Sequence, residues 1–224
     1  ASGSPLSLKL ATKNGTTWSI ESIPLDSGEQ IGSMQQASLV YDGTGQPAVC
    51  YARAKKSPGG LVVARKKNGA WTKQLVESGG SAGAWNSMAL DGSGNPAVAY
   101  TYVSGSTTKV KFASWNATKK VWTIETLGNG ATPALAYNGG LPSVVARDLG
   151  KVVFWYKKSN GTWGRRDDID TTTTSLLECT LNYASNGTAY VAYSTGAGDP
   201  TPNTVKIATC SNPSDPNVVW TSES

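Results

Sequence analysis

A tryptophan followed by a short β-prone run recurs down the chain at Trp18, Trp71, Trp122, Trp163 and Trp220, with spacings of 41 to 57 residues. A period of about 40 to 50 residues with several short strands per unit marks an array of small sheets, because one such unit cannot bury its apolar face alone. The repeat predicts an all-β fold, a β-propeller of four-stranded antiparallel blades.

Two kinds of segment alternate. Ser38 to Tyr51 reads SLVYDGTGQPAVCY, and Ser87 to Tyr100 reads SMALDGSGNPAVAY, almost position for position. Looser copies follow around Asn138-Gly139 and Asn186-Gly187. Each sets two apolar runs about a Gly/Asn/Asp turn, the mark of a β-hairpin. These A/B hairpins span 36–53, 85–102, 132–147 and 178–194. The second kind alternates apolar and polar residues about Asn14-Gly15, Asn68-Gly69, Asn116, Asn160-Gly161 and a longer Ser211 to Asn217 turn. It predicts C/D hairpins at 6–23, 61–76, 109–127, 151–169 and 204–222. Residues 1–224 are read as one domain.

Four A/B hairpins face five C/D hairpins. About five blade units are expected, one of them lacking its inner A/B hairpin. The chain is then a fragment of a longer one, or a ring of four full blades plus an outer hairpin, or a propeller completed by another chain. Unpaired strand edges favour association, so a homo-oligomer through the incomplete blade is one expectation.

The 25 Gly and abundant Thr and Ser suit short strands and turns. No run is long enough for a membrane span, and the start at Ala1 reads as a trimmed terminus of a secreted or extracellular protein. Three cysteines, Cys50, Cys179 and Cys210, allow at most one internal disulfide. Cys179 and Cys210 fall in one predicted blade, although strand B should stand between them.

The Ser-x-x-x-Asp-Gly-x-Gly-x-Pro-x-x-x-Tyr pattern, followed by Lys-x-x-x-Ala and Trp-Thr-Ile-Glu, resembles extracellular β-propeller repeat proteins, loosely related to sialidase-like BNR repeats, over nearly the whole chain. Ala11 to Trp18 keeps only a turn and a Trp of that superfamily's Asp-box. The resemblance implies the fold and does not carry sialidase chemistry with it.

The five repeat Trp residues are expected to pack between neighbouring blades. Trp85 breaks the pattern, lying in the D-to-A connection from Ser78 to Asn86. In a propeller the D-to-A and B-to-C connections share one face, around the mouth of the central channel. The positions equivalent to Trp85 are Gln36, Thr132 and Glu178, and the B-to-C side adds Arg53, Lys55, Lys56, Tyr102, Arg147, Asp148 and Asp199. A concave mouth with an aromatic, two arginines and carboxylates is a candidate binding site. Gln36, Trp85, Thr132, Glu178, Arg53, Tyr102, Arg147 and Asp148 are its expected ligand-binding residues.

The chain contains no His, which removes His-assisted nucleophiles and the commonest metal ligand. Glycoside hydrolysis needs two carboxylates, which Asp148 and Glu178 could supply. A sialidase-like site would also want an arginine cluster, and only Arg53 and Arg147 are suitably placed. Binding is therefore preferred to catalysis, with a sialidase-like glycoside hydrolase and a structural or assembly role as the alternatives. Asp42-Gly-Thr-Gly and Asp91-Gly-Ser-Gly lack the further carboxylates of a calcium loop, and three scattered cysteines make no zinc site. Neither metal nor cofactor is expected.

The net charge is +5. Lys13, Lys66, Lys67, Lys119, Lys120, Lys157 and Lys158 flank the C/D turns and predict a basic ring, which suits an anionic extracellular ligand or keeps outer strands apart. No aromatics interleave with them as stacking platforms, so nothing supports nucleic-acid recognition. Asn14, Asn116, Asn160 and Asn186 head N-x-Thr sequons at turn tips, which double as good hairpin turns. The expected partner is a glycan or another extracellular ligand.

Overall fold

The computed structural model describes residues 7–31, 36–54, 59–79, 81–170, 176–195 and 204–223, so that Lys55, Lys56 and Asp199 lie outside the described residues. The first hairpin pairs β1 (Leu8–Asn14) with β2 (Thr17–Ile23). Four larger antiparallel sheets follow. The first holds β4 (Ser38–Tyr41), β5 (Pro47–Ala54), β6 (Gly60–Lys67) and β7 (Ala70–Ser78), with the short β3 (Gln30–Ile31) pairing the far end of β5. The second runs from β8 (Asn86–Leu90) through β9 (Pro96–Ser104) and β10 (Thr107–Asn116) to β11 (Val121–Asn129). The third holds β12 (Ala131–Asn138), β13 (Leu141–Asp148), β14 (Lys151–Lys157) and β15 (Trp163–Asp170). The fourth holds β16 (Leu176–Tyr183), β17 (Ala189–Thr195), β18 (Thr204–Cys210) and β19 (Thr221–Glu223).

Turn chemistry fixes the registers. Asn68 and Gly69 both take positive φ, 52° and 81°, the geometry a two-residue hairpin turn needs to match strand twist. Asp42 Oδ1 accepts the N–H groups of Thr44 and Gln46, and Asp91 Oδ1 accepts those of Ser93 and Asn95. The Asp-Gly-x-Gly segments are therefore side-chain-closed turns. No group of metal-ligating side chains occurs among the described residues. Three sequon asparagines serve their turns in the same way, Asn116 accepting from Lys119, Asn160 from Thr162 and Asn186 from Thr188.

Four apolar clusters lie between successive sheets rather than within any one of them. Leu10 and Ile23 of the first hairpin meet Tyr51 and Val62, and Cys50 and Val63 meet Val98 and Tyr100. Ala99 and Phe112 meet Val144 and Val153, and Phe154 and Val145 meet Val191 and Trp220. The repeat Trp residues belong to these clusters. Trp163 sets its ring edge-on to Phe112 at 5.2 Å, Trp220 does the same to Phe154 at 5.4 Å, and the Arg65 guanidinium covers Trp115 and Trp122. Burying each such ring contributes about 2–3 kcal/mol. Trp18 is the exception, 61% exposed.

Acid–tyrosine–lysine groups reinforce three of these junctions. The Tyr51 hydroxyl donates to Glu29 at 2.9 Å, with Lys73 at 3.0 Å from the same carboxylate. Tyr100 donates to Glu77 beside Lys111, and Tyr193 to Asp170 beside Lys206.

The structure departs from the sequence reading in three places. Lys66 and Lys157 do not belong to a basic ring. They reach across to Glu21 and Glu125 of the preceding sheet and are spent in the junctions. The last D strand is short, because Trp220 precedes β19 and the long turn before it folds around buried Arg166, which donates to the carbonyls of Asp215 and Val218. β3 adds a strand that Gln30-Ile31 alone does not signal. All three cysteines are free. No helix among the described residues is long and apolar enough to cross a membrane.

Candidate binding site where the inner strands converge

The innermost strands β4, β8, β12 and β16 stand side by side in chain order, tied to one another by side chains. Asn86, fully buried at the start of β8, donates through Nδ2 to the Gln36 carbonyl at 2.6 Å and to the Gly83 carbonyl at 3.0 Å. Its Oδ1 accepts from the Ser38 hydroxyl at 2.6 Å. Ser87 Oγ accepts the Leu135 N–H, and the Cys179 thiol donates to the Thr132 carbonyl at 3.4 Å.

Irregularities sit where these strands pass the site. Ala131 to Ala134 of β12 opposes Val145 to Arg147 with one residue to spare, and Leu176 to Cys179 of β16 does the same against Tyr193 to Thr195. In the second sheet Gly83 and Trp85 bracket Thr101, one accepting backbone and one donating backbone on its two sides. Such bulges turn a side chain out of the ladder and re-aim it. The residues freed in this way are Trp85, Thr132 and Glu178.

The result is a cavity of about 180 Å³ lined by all four inner strands, with Gln36 and Ser38, Trp85 to Ser87, Thr132 to Ala134, and Glu178 to Thr180 on its walls. Glu178 and Gln36 are exposed, and Trp85 is half-buried. Thr132 is buried at φ 50°, a strained conformation for a β-branched residue, and its hydroxyl has no hydrogen-bond partner. Burial pushes the Cys179 thiol up to about 12, with Glu178 adding to the effect and Arg147 opposing it. The thiol stays protonated and is a donor here, not a nucleophile.

A wider cleft of about 580 Å³ opens between β8–β11 and β12–β15. Ser106 to Thr108, Asn129 to Ala131 and Arg147 to Gly150 line it. Asp148 is held there by Arg165 at 3.3 Å, and Asn129 accepts from Lys109 at 2.6 Å. The eight sequence-predicted residues thus separate. Gln36, Trp85, Thr132 and Glu178 share the central cavity, Arg147 and Asp148 share the cleft, and Arg53 and Tyr102 line neither. Arg53 stands at the end of β5 opposite Ile31 and Gly60, while Tyr102 lies under the Lys111 ammonium at 3.8 Å. Asp148 and Glu178, the pair considered for hydrolysis, line different cavities. Asn86 escaped the sequence reading, although it is a polar residue where the other repeats carry Ala37, Pro133 and Cys179.

No family model and no curated protein sequence matches the chain. Among solved structures it is similar to the GH93 α-L-arabinofuranosidase of Fusarium graminearum in complex with arabinobiose, with a TM-score of 0.58 and 13% identity over 86% of this chain and 68% of that one. It is also similar to an endo-1,4-β-xylanase from Bacteroides thetaiotaomicron, with a TM-score of 0.54 and 11% identity over 98% and 93% of the two chains. TolB from Acinetobacter baumannii matches with a TM-score of 0.52 and 12% identity over 91% and 45%. Fold similarity at such low identity speaks to architecture, and the chain has a propeller-like all-β fold.

Proposed function

We propose that this chain is a secreted or cell-surface carbohydrate-binding module, built as five propeller units with one inner hairpin missing and taking its ligand at the face that carries Trp85. One observation carries the reading: four strands far apart in sequence bring Gln36, Trp85, Thr132 and Glu178 around one cavity, with Thr132 strained and its hydroxyl unsatisfied. Strain and an orphaned polar group together at a cavity wall are hallmarks of a site kept for a ligand. An indole face with amide, hydroxyl and carboxylate groups around it suits the mixed apolar and polar faces of a sugar ring. The cleft carrying Arg147 and Asp148 extends the same face and gives a longer or anionic glycan a second foothold.

Calorimetry against glycans first selected on an array tests this. Trp85→Ala should weaken binding at least about tenfold, and Glu178→Gln should weaken it less. Affinity unchanged in Trp85→Ala would overturn the assignment.

Hydrolysis is the second reading, favoured by the exposed Glu178 carboxylate and by two fold neighbours named as glycosidases. Among the described residues that line the cavity Glu178 has no second carboxylate beside it, and both stereochemical routes require a pair. Sugar release from a polysaccharide panel that disappears in Glu178→Gln would decide for it.

A further inference from the structure

We propose that the cleft between β8–β11 and β12–β15 is a sugar subsite in its own right, rests on the carbohydrate-binding reading above, and takes one pyranose unit with its ring packed on Leu149 and its vicinal hydroxyls on Asp148 and Asn129.

A short link between the two sheets opens the cleft. Ahead of β8 the chain from Gly79 to Trp85 runs back along β9, where the Ser81 and Gly83 N–H groups donate to the Val103 and Thr101 carbonyls, and Ala82 is buried in the cluster between the first two sheets. Between β11 and β12 the link is Gly130 alone. Its φ of 145°, and the Arg147 carbonyl 2.9 Å from where a Cβ would stand, require glycine there. The space that Ala82 helps to close at one junction stays open at the next, at about 580 Å³, within the range of small-ligand sites.

Leu149 stands at the lip of this cleft in a conformation that its side chain opposes. The two-residue turn Leu149-Gly150 joins β13 to β14 with φ of 45° and 82°, and the Asn68-Gly69 turn has the same geometry at 52° and 81°. The matching first positions of the other two-residue turns are Gly15, Gly105 and Gly139, all at positive φ. Asparagine and glycine enter this region at little cost, and leucine does not. Packing does not offset the strain, since Leu149 is 96% exposed, more than any other large apolar side chain among the described residues. A strained turn that holds an apolar side chain out beside a cavity suits a ligand that covers it.

The polar groups select the kind of ligand. Asp148 accepts from Arg165 through Oδ2 at 3.3 Å, which leaves Oδ1 as an acceptor. Asn129 Oδ1 accepts from the Lys109 ammonium, which leaves Nδ2 as a donor. Thr107 and Thr108 line the same cleft with hydroxyls that can do either. Neighbouring sugar hydroxyls donate to the carboxylate and accept from the amide at once, while the C–H face of the ring meets Leu149.

Amide spectra of the isotope-labelled full chain test this with the methyl glycosides of glucose, galactose, mannose and xylose. At least one should shift the Thr107, Gly130 and Gly150 amides saturably at about 20 mM, and cyclohexanol at the same concentration should not. Leu149→Asn supplies the residue that the turn favours. It should raise the urea midpoint of unfolding by about 0.5 M and yet weaken sugar binding at least about fivefold. Leu149→Met, which keeps an apolar side chain, should bind as the wild type does. Cleft amides unmoved by every glycoside, equal shifts with cyclohexanol, or unchanged affinity in Leu149→Asn would each overturn the proposal. A lowered midpoint in Leu149→Asn would do the same, because Leu149 would then serve the fold. The two sites fail separately. Array-selected glycans that lose affinity in Trp85→Ala but never shift the cleft amides would remove the subsite and leave the reading above, whereas cleft shifts alongside unchanged affinity in Trp85→Ala would do the reverse.

Discussion

Between β4–β7 and β8–β11 the Tyr100 hydroxyl donates to Glu77, and Lys111 closes on the same carboxylate. Between β8–β11 and β12–β15 the corresponding positions are Gly128 and Ala146, and the space is filled by the Trp155 indole, 1% exposed. A Cβ on Gly128 would come within 3.2 Å of that ring, and one on Gly130 within 2.9 Å of the Arg147 carbonyl. Acid and tyrosine are therefore lost together, and glycine and tryptophan replace them together. One partner left behind would be a buried polar group without its hydrogen bond, which costs more than having neither. The lesson is that the repeat conserves the filling of each junction rather than its chemistry.

The largest expected effect tests the apolar junction. Trp155→Ala removes the ring without offering any polar group in exchange, and the glycines that admit it cannot fill the void. We expect a loss of about 3–5 kcal/mol in denaturant unfolding. A loss below about 1 kcal/mol would mean that the junction collapses onto the space and that Trp155 is not its main filling.

The polar junctions should lose somewhat less, and in a pH-dependent way. Asp170→Ala leaves the Tyr193 hydroxyl and the Lys206 ammonium without the carboxylate they share, for an expected cost of about 2–4 kcal/mol at neutral pH. At the first junction burial pushes the Glu29 carboxyl up, but the Asp26 N–H, Lys73 and the Tyr51 hydroxyl outweigh it and hold the group below its ordinary 4.5. A folded-state value below the unfolded one gives stability that is present above pH 4.5 and is lost as pH falls through the folded value. The penalty of Glu29→Gln should therefore shrink as unfolding is repeated at successively lower pH. That of Trp155→Ala should change much less over the same range, since the Trp155 ring itself pairs with no carboxylate and the Glu125 carboxylate that meets Lys157 across the same junction keeps 32% of its exposure. Parallel slopes for the two variants would remove the distinction between the junctions.

Much of this was open to reading in the chain because it is local. The Asn-Gly and Asp-Gly turns, the alternation on either side of them and the recurring Trp each depend on residues within a single hairpin, where spacing in sequence is spacing in space. The convergence of Gln36, Trp85, Thr132 and Glu178 on one cavity was also legible, since equivalent positions of a radial repeat must meet. What escaped depends on neighbours one repeat away. Lys66 looks like a solvated turn residue until Glu21 of the preceding sheet is placed against it, and Tyr51 like ordinary core until Glu29 and Lys73 arrive. Arg53 and Tyr102 close the predicted A/B hairpins and so point to the mouth, but β5 and β9 run on to Ala54 and Ser104, and neither residue lines the cavity. A signal for these acid–tyrosine–lysine groups was nonetheless present: Tyr51, Tyr100 and Tyr193 take the fifth position of their B strands, an acid precedes each, and both are missing where Ala146 and Gly128 stand.

The smallest effect separates charge pairing at a rim from charge pairing at a latch. Lys66 meets Glu21 at 2.6 Å across the first junction, but the two side chains keep 23% and 39% of their exposure. Water competes for both groups and salt screens them, so a double-mutant cycle with Lys66→Ala and Glu21→Ala should give a coupling of about 0.5 kcal/mol, falling further in added salt. The Lys73–Glu29 contact is longer, at 3.0 Å, yet its carboxylate is 1% exposed and accepts the Tyr51 hydroxyl as well. Its cycle should give the larger coupling and a weaker salt dependence, because burial rather than proximity sets the strength of a pair. Equal couplings would show that the latches are no more than surface ion pairs, and the stability of the polar junctions would then have to come from the apolar clusters around them.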